Sequence, residues 1–269
     1  MIKANFHTHT TFCDGKNTPE EMVLAAISLG MTAIGFSGHS YSEYETYGMK
    51  PDVCAAYQAE ILRLKNKYAG QITIFLGIEQ DATSDSLDYP YDYVIGSIHG
   101  IIKDGQYLCV DYSESAMIRA VEQYYGGDYY AYAEDYYHTL ANTVLKHDPT
   151  FIGHFDLVTK FNEGGKHFNE AHPRYRKVAL DALAHLISAG KPFEINTGAI
   201  SRGYRTLPYP ASFILKKIRE MGGRIILSSD AHTTDNLLCG YDKATELAKS
   251  CGFTTALILT TDGFQEVPL

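Results

Sequence analysis

The sequence has no basic run or basic patch. Its 23 lysines and arginines are outnumbered by 32 aspartates and glutamates, which gives a net charge of −9. Non-specific nucleic-acid binding depends on neutralising phosphates, so this balance argues against DNA or RNA as a main partner. An anionic small molecule remains compatible with it if bound metal ions make a pocket locally positive.

The sequence also has no CxxC pair, and its five cysteines are an odd number. This pattern favours free thiols in a reducing compartment over a disulfide framework. No apolar run approaches the length of a membrane span, and the N-terminus has no apolar signal segment. We therefore expect a cytoplasmic protein without a membrane partner; nothing in the sequence indicates an oligomeric state.

No GxGxxG or GxxxxGK fingerprint follows the first strand, so Rossmann-type or P-loop nucleotide binding has no support. The chain instead alternates short, continuously apolar strands with amphipathic helices. Such strands are buried on both faces, which is typical of a parallel sheet covered by helices, in a barrel or a doubly wound sheet. The length of 269 residues is usual for a single β/α barrel. We predict one α/β domain over residues 1–269.

Seven strands are predicted in this domain. They cover residues 3–9, 33–37, 72–78, 93–98, 151–153, 193–196 and 224–229. The predicted helices cover about 18–29, 51–68, 113–126, 129–146, 173–190, 210–221 and 237–250. The tail at 255–269 contains a further apolar run. It is either an eighth barrel strand or a strand and turn outside a seven-stranded barrel.

Potential metal ligands follow six of the seven strands. His7 and His9 are two residues apart on the first strand, so both side chains project to one face. The other strand ends carry His39, Glu79, His99, His154, Asp230 and His232, and Asp14 lies in the first loop. In a β/α barrel these ends converge on one face, so we predict a shared metal site there.

The ligand types narrow the choice of metal. Imidazoles with carboxylates suit zinc, iron, manganese or cobalt, and the absence of cysteine argues against a structural thiolate site. Eight or nine ligands are too many for one ion, so two or three divalent ions (Zn, Fe or Mn) are expected, an arrangement suited to hydrolysing phosphate esters. The remaining histidines fall on predicted helices or loops and are interpreted as surface or structural groups.

The segments HTHTTFCDG, FSGH, GIE, GSIH, GHFD and SSDAH resemble the polymerase and histidinol phosphatase (PHP) family. The stretches YGMKPD, IFLGIEQD, VDYSES and GHFDLVTKFNE are similar to its histidinol-phosphate phosphatase branch. The resemblance implies a distorted seven-stranded (β/α) barrel with three metal ions at the C-terminal strand ends. It assigns ligands to the three ions as follows: His7, His9, Glu79 and Asp230; Glu79, His99 and His154; Asp14, His39 and His232.

The resemblance also implies an activity, the hydrolysis of L-histidinol phosphate to L-histidinol and phosphate in histidine biosynthesis. A hydroxide shared by two ions would attack phosphorus in line. Glu79 would bridge those ions, and Asp230 or His232, or the third ion, would assist the leaving alkoxide.

Candidate substrate contacts lie in the loops. Lys160, Arg202 and Arg205 are candidate phosphate ligands. Glu43 and Glu114 are candidates for binding a substrate ammonium.

Other functions share part of this pattern. A PHP phosphoesterase acting on nucleotides or other small phosphate esters, or a 3′-end exonuclease, would have every ligand in common, although the acidic charge counts against polymeric substrates. A metal-dependent amidohydrolase usually has a metal-bridging lysine, and no predicted strand ends in one. An inactive barrel scaffold would be marked by lost ligands, and none is lost.

Overall fold

The computed structural model describes residues 2–84 and 89–269, and within them it has an α/β fold built on one large curled sheet. The strands are β1 (Ala4–Asn5), β2 (Ala33–Phe36), β3 (Thr73–Asp81), β4 (Tyr93–Ser97), β5 (Gly100–Lys103), β6 (Gln106–Cys109), β7 (Phe151–Ile152), β8 (Phe193–Asn196), β9 (Ile225–Ser228), β10 (Thr255–Thr260) and β11 (Gly263–Pro268). The helices are α1 (Pro19–Ser28), α2 (Pro51–Lys67), α3 (Glu114–Tyr125), α4 (Tyr129–Thr143), α5 (Pro173–Ile187), α6 (Gly198–Ser201), α7 (Ser212–Glu220) and α8 (Tyr241–Ser250).

The sheet order in the described residues is β1-β2-β3-β4-β7-β8-β9-β10-β11, and every neighbouring pair is parallel except β10 with β11. All seven predicted strands are present in it, as β1, β2, β3, β4, β7, β8 and β9. The tail adds β10 and the antiparallel β11, so the described sheet has nine strands. The α/β class with a curled parallel sheet is confirmed, whereas the number seven is not.

The curl of the sheet is visible in its aromatic core. Tyr93 on β4 reaches across β3 and β2, and its hydroxyl donates at 2.7 Å to the carbonyl of Phe6, the residue after β1. A Cβ on Gly35 or Gly77 would lie within 2.5 Å of the Tyr93 ring or hydroxyl, so these two positions must be glycine for the ring to cross. Phe6 in turn packs edge-on against Phe75 of β3, with ring centroids 5.7 Å apart.

The two ends of the curl meet at the carboxyl ends of β1 and β9. The His9 amide donates to the Ala231 carbonyl at 2.8 Å, and the Ala231 amide donates to the His7 carbonyl at 3.1 Å. Nearer its amino end, β9 pairs with β10. The edge of the sheet that carries the predicted ligands is therefore drawn together.

Local sequence signals explain where the helices begin. Thr18 accepts from the Glu21 amide at 3.3 Å, and Glu21 accepts from the Thr18 amide at 2.8 Å, which confirms the predicted capping box. Helix α2 starts at Pro51 and buries Tyr57, Ile61 and Leu64 as one face. No helix in the described part of the chain has the length and apolar character needed to cross a bilayer.

Three local differences from the sequence prediction affect the site. The hairpin β5–β6 follows His99 directly and was not predicted, although Asp104-Gly105 at its turn is a known hairpin signal and both residues have positive φ. The short helix α6 was assigned to a loop. Helix α8 begins at Tyr241 instead of 237, because Gly240 precedes it in the left-handed conformation.

Candidate metal centre

The carboxyl ends of the strands surround a cavity of about 160 Å³. Its lining residues are Asp14, His39, Tyr47, Glu79, His99, Asp111, His154, Leu157, Lys160, Arg202, Asp230 and His232. Seven of the nine predicted metal ligands are in this set. The other two, His7 and His9, are fully buried beside it, each within 3.5 Å of Glu79.

The first cluster consists of His7, His9, Glu79 and Asp230. Glu79 Oε2 lies 3.2 Å from His7 Nε2 and 3.5 Å from His9 Nε2, and Asp230 Oδ1 lies 3.3 Å from His9 Nε2. Bonds of about 2.0–2.1 Å to a tetrahedral ion give ligand separations of about 3.3 Å, so these atoms have the spacing of a coordination shell. His7 Nε2, His9 Nε2 and Glu79 Oε2 are buried and make no hydrogen bond, which a metal ion would remedy.

The second cluster uses the other oxygen of Glu79. Its Oε1 lies 2.8 Å from His154 Nε2 and 3.4 Å from His99 Nε2. One carboxylate thus faces histidines on both sides, so Glu79 is placed to bridge two ions.

The third cluster lies nearer the solvent and contains Asp14, His9, His39 and His232. Asp14 Oδ2 is 3.0 Å from His232 Nε2, and Asp14 Oδ1 is 3.6 Å from His39 Nε2. The other ring nitrogen of His39 is 3.0 Å from Glu79 Oε2, so His39 spans the space between this cluster and the bridging carboxylate.

Two carboxylates outside the clusters orient the histidines. Glu194 on β8 lies 2.6 Å from His7 Nδ1 and also accepts the His154 amide at 2.8 Å. Asp81 accepts from the His99 amide at 2.9 Å and lies 3.1 Å from its Nδ1. Engaging Nδ1 in this way leaves Nε2 of each ring free for a metal ion. The sequence analysis did not include Asp81, although its position two residues after Glu79 puts both side chains on one strand face.

The carboxylates and imidazoles of the clusters shift one another's pKa values. Burial alone would raise the pKa of Glu79, but the imidazoles of His7, His39 and His99 hold it well below its usual range. Burial together with His232 and His39 lowers the pKa of His9 to about 3. Glu79 is therefore ionised and His9 is neutral, which are the protonation states that bind metal ions. Burial would lower the pKa of His7, His39 and His99, but Glu79 and the other nearby carboxylates raise it well above its ordinary value, so a metal ion would have to displace a proton from each of these rings.

Arg202 fixes the last strand end. Its guanidinium donates to Asp230 Oδ2 at 2.8 Å and lies 3.0 Å from His232 Nδ1. Asp230 has a φ of 49°, a conformation that non-glycine residues rarely adopt and that is often found at functional sites. A Cβ at Gly198 would lie 2.7 Å from both the Arg202 guanidinium and Asp230 Oδ2, so only glycine allows this pair to form there.

Comparison with known proteins identifies the family. The model of the PHP domain matches residues 5–198, well over half of the chain. The chain belongs to the PHP domain family. It is 26% identical to the histidinol-phosphatase of Bacillus subtilis (strain 168) over 90% of this chain and 98% of that protein.

Two solved structures share the fold of this PHP domain. The protein hisK from Listeria monocytogenes aligns with a TM-score of 0.78 and 22% identity, covering 89% of this chain and 98% of that one. The histidinol phosphate phosphatase from Lactococcus lactis subsp. lactis Il1403, solved with zinc, L-histidinol and phosphate, aligns with a TM-score of 0.68 and 22% identity over 98% and 99% of the two chains.

The structure separates the five candidate substrate residues of the PHP domain into two groups. Lys160 and Arg202 line the cavity. Arg205 does not line the cavity. Its guanidinium donates to the Thr159 carbonyl at 2.6 Å and forms ion pairs with two glutamates, so its positive charge is neutralised by neighbouring loop residues.

The two acidic candidates also lie outside the cavity lining. Glu114 pairs with Lys166 at 2.6 Å and with His167 at 2.6 Å, because it begins α3 and faces the loop before α5. Glu43 is exposed in the loop before α2. The carboxylate that does line the cavity, apart from the predicted ligands, is Asp111, which the sequence analysis overlooked.

Replacing Glu194 by glutamine should weaken metal binding to the PHP domain by about 10- to 100-fold. Glutamine keeps the shape of the side chain but removes the charge that holds His7 Nδ1 and the His154 amide. Competition with a metal chelator measures the change, and Glu246→Gln on the exposed face of α8 is the matched control. Unchanged affinity in the Glu194 variant would contradict the orienting role.

Proposed function

We propose that this PHP domain protein is a metal-dependent phosphomonoesterase that hydrolyses L-histidinol phosphate to L-histidinol and phosphate, in histidine biosynthesis. The observation that carries the proposal is the convergence of all nine predicted ligands, with Glu79 facing histidines through both of its oxygens. The histidinol-phosphatase name of the Bacillus subtilis relative supports the choice of substrate.

The cofactor in this proposal is two or three divalent ions, zinc, iron or manganese. His7, His9, Glu79 and Asp230 would hold one ion, and Glu79 with His99 and His154 a second. Asp14, His39 and His232 would hold a third. When bound, the ions would lower the pKa of a shared water and take up charge on the phosphoryl oxygens.

The side chains around the ions bind and orient the substrate. Arg202 presents its guanidinium beside Asp230 and His232, where it can bind a phosphoryl oxygen. Lys160 is a second cation in the cavity lining. Asp230 and His232, with 3.5 Å between Oδ1 and Nδ1, both line the cavity, and either of them, or the third ion, would assist the leaving alkoxide.

The proposal also covers the barrel architecture, the number of domains, the cellular location and the absence of a nucleic-acid partner. The hydrogen bonds that join β1 to β9 support a distorted barrel of seven strands, with β10 and β11 as a hairpin outside it. One domain over the whole chain, a cytoplasmic location and the absence of a nucleic-acid partner remain predictions.

The test is phosphate release by the metal-loaded protein from a panel of substrates. The panel contains L-histidinol phosphate, several nucleotides, p-nitrophenyl phosphate and a short oligonucleotide. We expect kcat/KM for L-histidinol phosphate to exceed the others by orders of magnitude, and activity to vanish on chelation and return when metal is added back.

Other outcomes of the substrate panel would support a different function. A preference for nucleotides would keep the metal chemistry and replace the substrate. Metal-loaded protein without turnover of any substrate would favour an inactive scaffold.

A further inference from the structure

One carboxylate in the cavity has no part in the proposed chemistry. Of the four acidic residues that line the cavity among the described residues, Asp14, Glu79 and Asp230 belong to the proposed metal clusters. The fourth, Asp111, lies just after β6, the second strand of the β5–β6 hairpin. Its side chain is 22% exposed.

The position of Asp111 is held by Lys160. The Lys160 ammonium donates to the Asp111 carbonyl at 2.7 Å and to its Oδ2 at 3.1 Å. Among the described residues, the other oxygen, Oδ1, accepts a hydrogen bond only from the Cys109 thiol, at 3.3 Å. A thiol is a weak donor. Burial would raise the pKa of Asp111, but the positive charges of Lys160 and His99 more than compensate, and the pKa falls to about 2. The carboxylate is thus ionised and retains acceptor capacity.

The charge of the metal-loaded cavity indicates a function for the Asp111 carboxylate. Two or three divalent ions would outweigh the three carboxylates that hold them, so the cavity becomes positive and suits a phosphate group. A substrate that also carries a cation near its phosphate would be repelled unless an anion lay on the wall close to the ions. L-histidinol phosphate is such a substrate, because its ammonium is on the carbon next to the one that bears the ester oxygen.

We propose that Asp111 binds the ammonium group of the substrate and so selects amino-bearing phosphate monoesters. This inference rests on the proposed function and deepens it. Lys160 keeps Oδ2 in place, and Oδ1 accepts from the substrate ammonium. Glu43 and Glu114, the acidic residues expected from sequence for this role, lie outside the cavity lining.

The experiment compares two substrates that differ only in the ammonium. They are L-histidinol phosphate and 3-(imidazol-4-yl)propyl phosphate, its deamino analogue. In the Asp111→Asn variant, kcat/KM for L-histidinol phosphate should fall by about 10- to 100-fold, as expected when a charge-assisted hydrogen bond is lost. The value for the deamino analogue should change less than about threefold, within the scatter of a neutral substitution.

The control is Asp135→Asn, which removes the acid of another Asp–Lys pair, formed with Lys103 at 2.7 Å outside the cavity. It should leave both substrates unaffected. Equal losses on the two substrates in the Asp111 variant would overturn the proposal, because they would mean that Asp111 acts only by positioning Lys160.

A measurement on the unaltered protein guards against a variant that fails to fold. Product inhibition by L-histidinol should be about 10- to 100-fold tighter than inhibition by 3-(imidazol-4-yl)propan-1-ol. Equal inhibition would overturn the proposal while L-histidinol phosphate hydrolysis stood. If the unaltered protein does not hydrolyse L-histidinol phosphate at all, the proposed function fails and this inference fails with it.

Discussion

A Glu79→Gln variant is expected to lose at least about 10³-fold in kcat and to bind fewer metal ions per chain. Glu79 is the side chain shared by the first two clusters, and it is 1% exposed. The amide nitrogen of glutamine cannot ligate an ion, so one of the two bridging contacts is lost. Charge stabilisation by a metal is worth several kcal/mol, and each 1.36 kcal/mol is a factor of ten in rate.

The measurements are kcat on L-histidinol phosphate and metal content by mass spectrometry of the purified protein. Glu60→Gln, at a glutamate that pairs with Arg63 outside the site, is the control and should behave as the parent. Activity within tenfold of the parent in the Glu79 variant would rule out a bridging carboxylate.

An Arg202→Ala variant is expected to lower kcat/KM for phosphate monoesters by about 10²-fold or more. Two contacts disappear together, the one proposed for the phosphoryl group and the one that holds Asp230 Oδ2. Removing one partner of a buried charge pair costs about 3–5 kcal/mol, because the other charge stays unpaired. Inhibition by inorganic phosphate should weaken in the same variant, while metal content is retained because all nine proposed ligands remain.

Two further variants separate the causes. Arg202→Lys keeps the charge but cannot reproduce the forked contact, so it should recover only part of the loss. Arg205→Ala should lower the free energy of unfolding and leave phosphate inhibition unchanged, since Arg205 contacts the Thr159 carbonyl and not the cavity. Unaltered phosphate inhibition in Arg202→Ala would show that Arg202 does not bind the phosphate.

The positions of the strands and the types of metal ligand could be predicted from local sequence pattern. The run at residues 72–78 is apolar except for Thr73, and all of it but Thr73 is buried, as expected for an inner strand of a parallel sheet. Parallel strands place their carboxyl ends on one edge, so the sequence alone is enough to group His39, Glu79 and His99. The resemblance to PHP proteins added the division into three clusters.

Local sequence pattern did not predict which loop residues line the cavity. Glu43 and Glu114 are the sequence-based candidates because a substrate ammonium favours an acidic partner, yet they lie outside the cavity lining. Asp111, two residues after the β5–β6 hairpin, lines the cavity. That placement depends on Lys160, 49 residues away, which no local pattern encodes.

By itself, the sequence determined the α/β class, the seven predicted strands, six of which end in ligands, and the identity of the residues that gather at those ends. Periodicity and strand direction are local properties, and they are sufficient for this. Only the tertiary structure decided which atoms face each other: both oxygens of Glu79 towards histidines, Nδ1 of His7 towards Glu194, and Arg202 rather than Arg205 towards Asp230. Those choices depend on side-chain contacts between segments far apart in the chain, where packing and charge together select one arrangement.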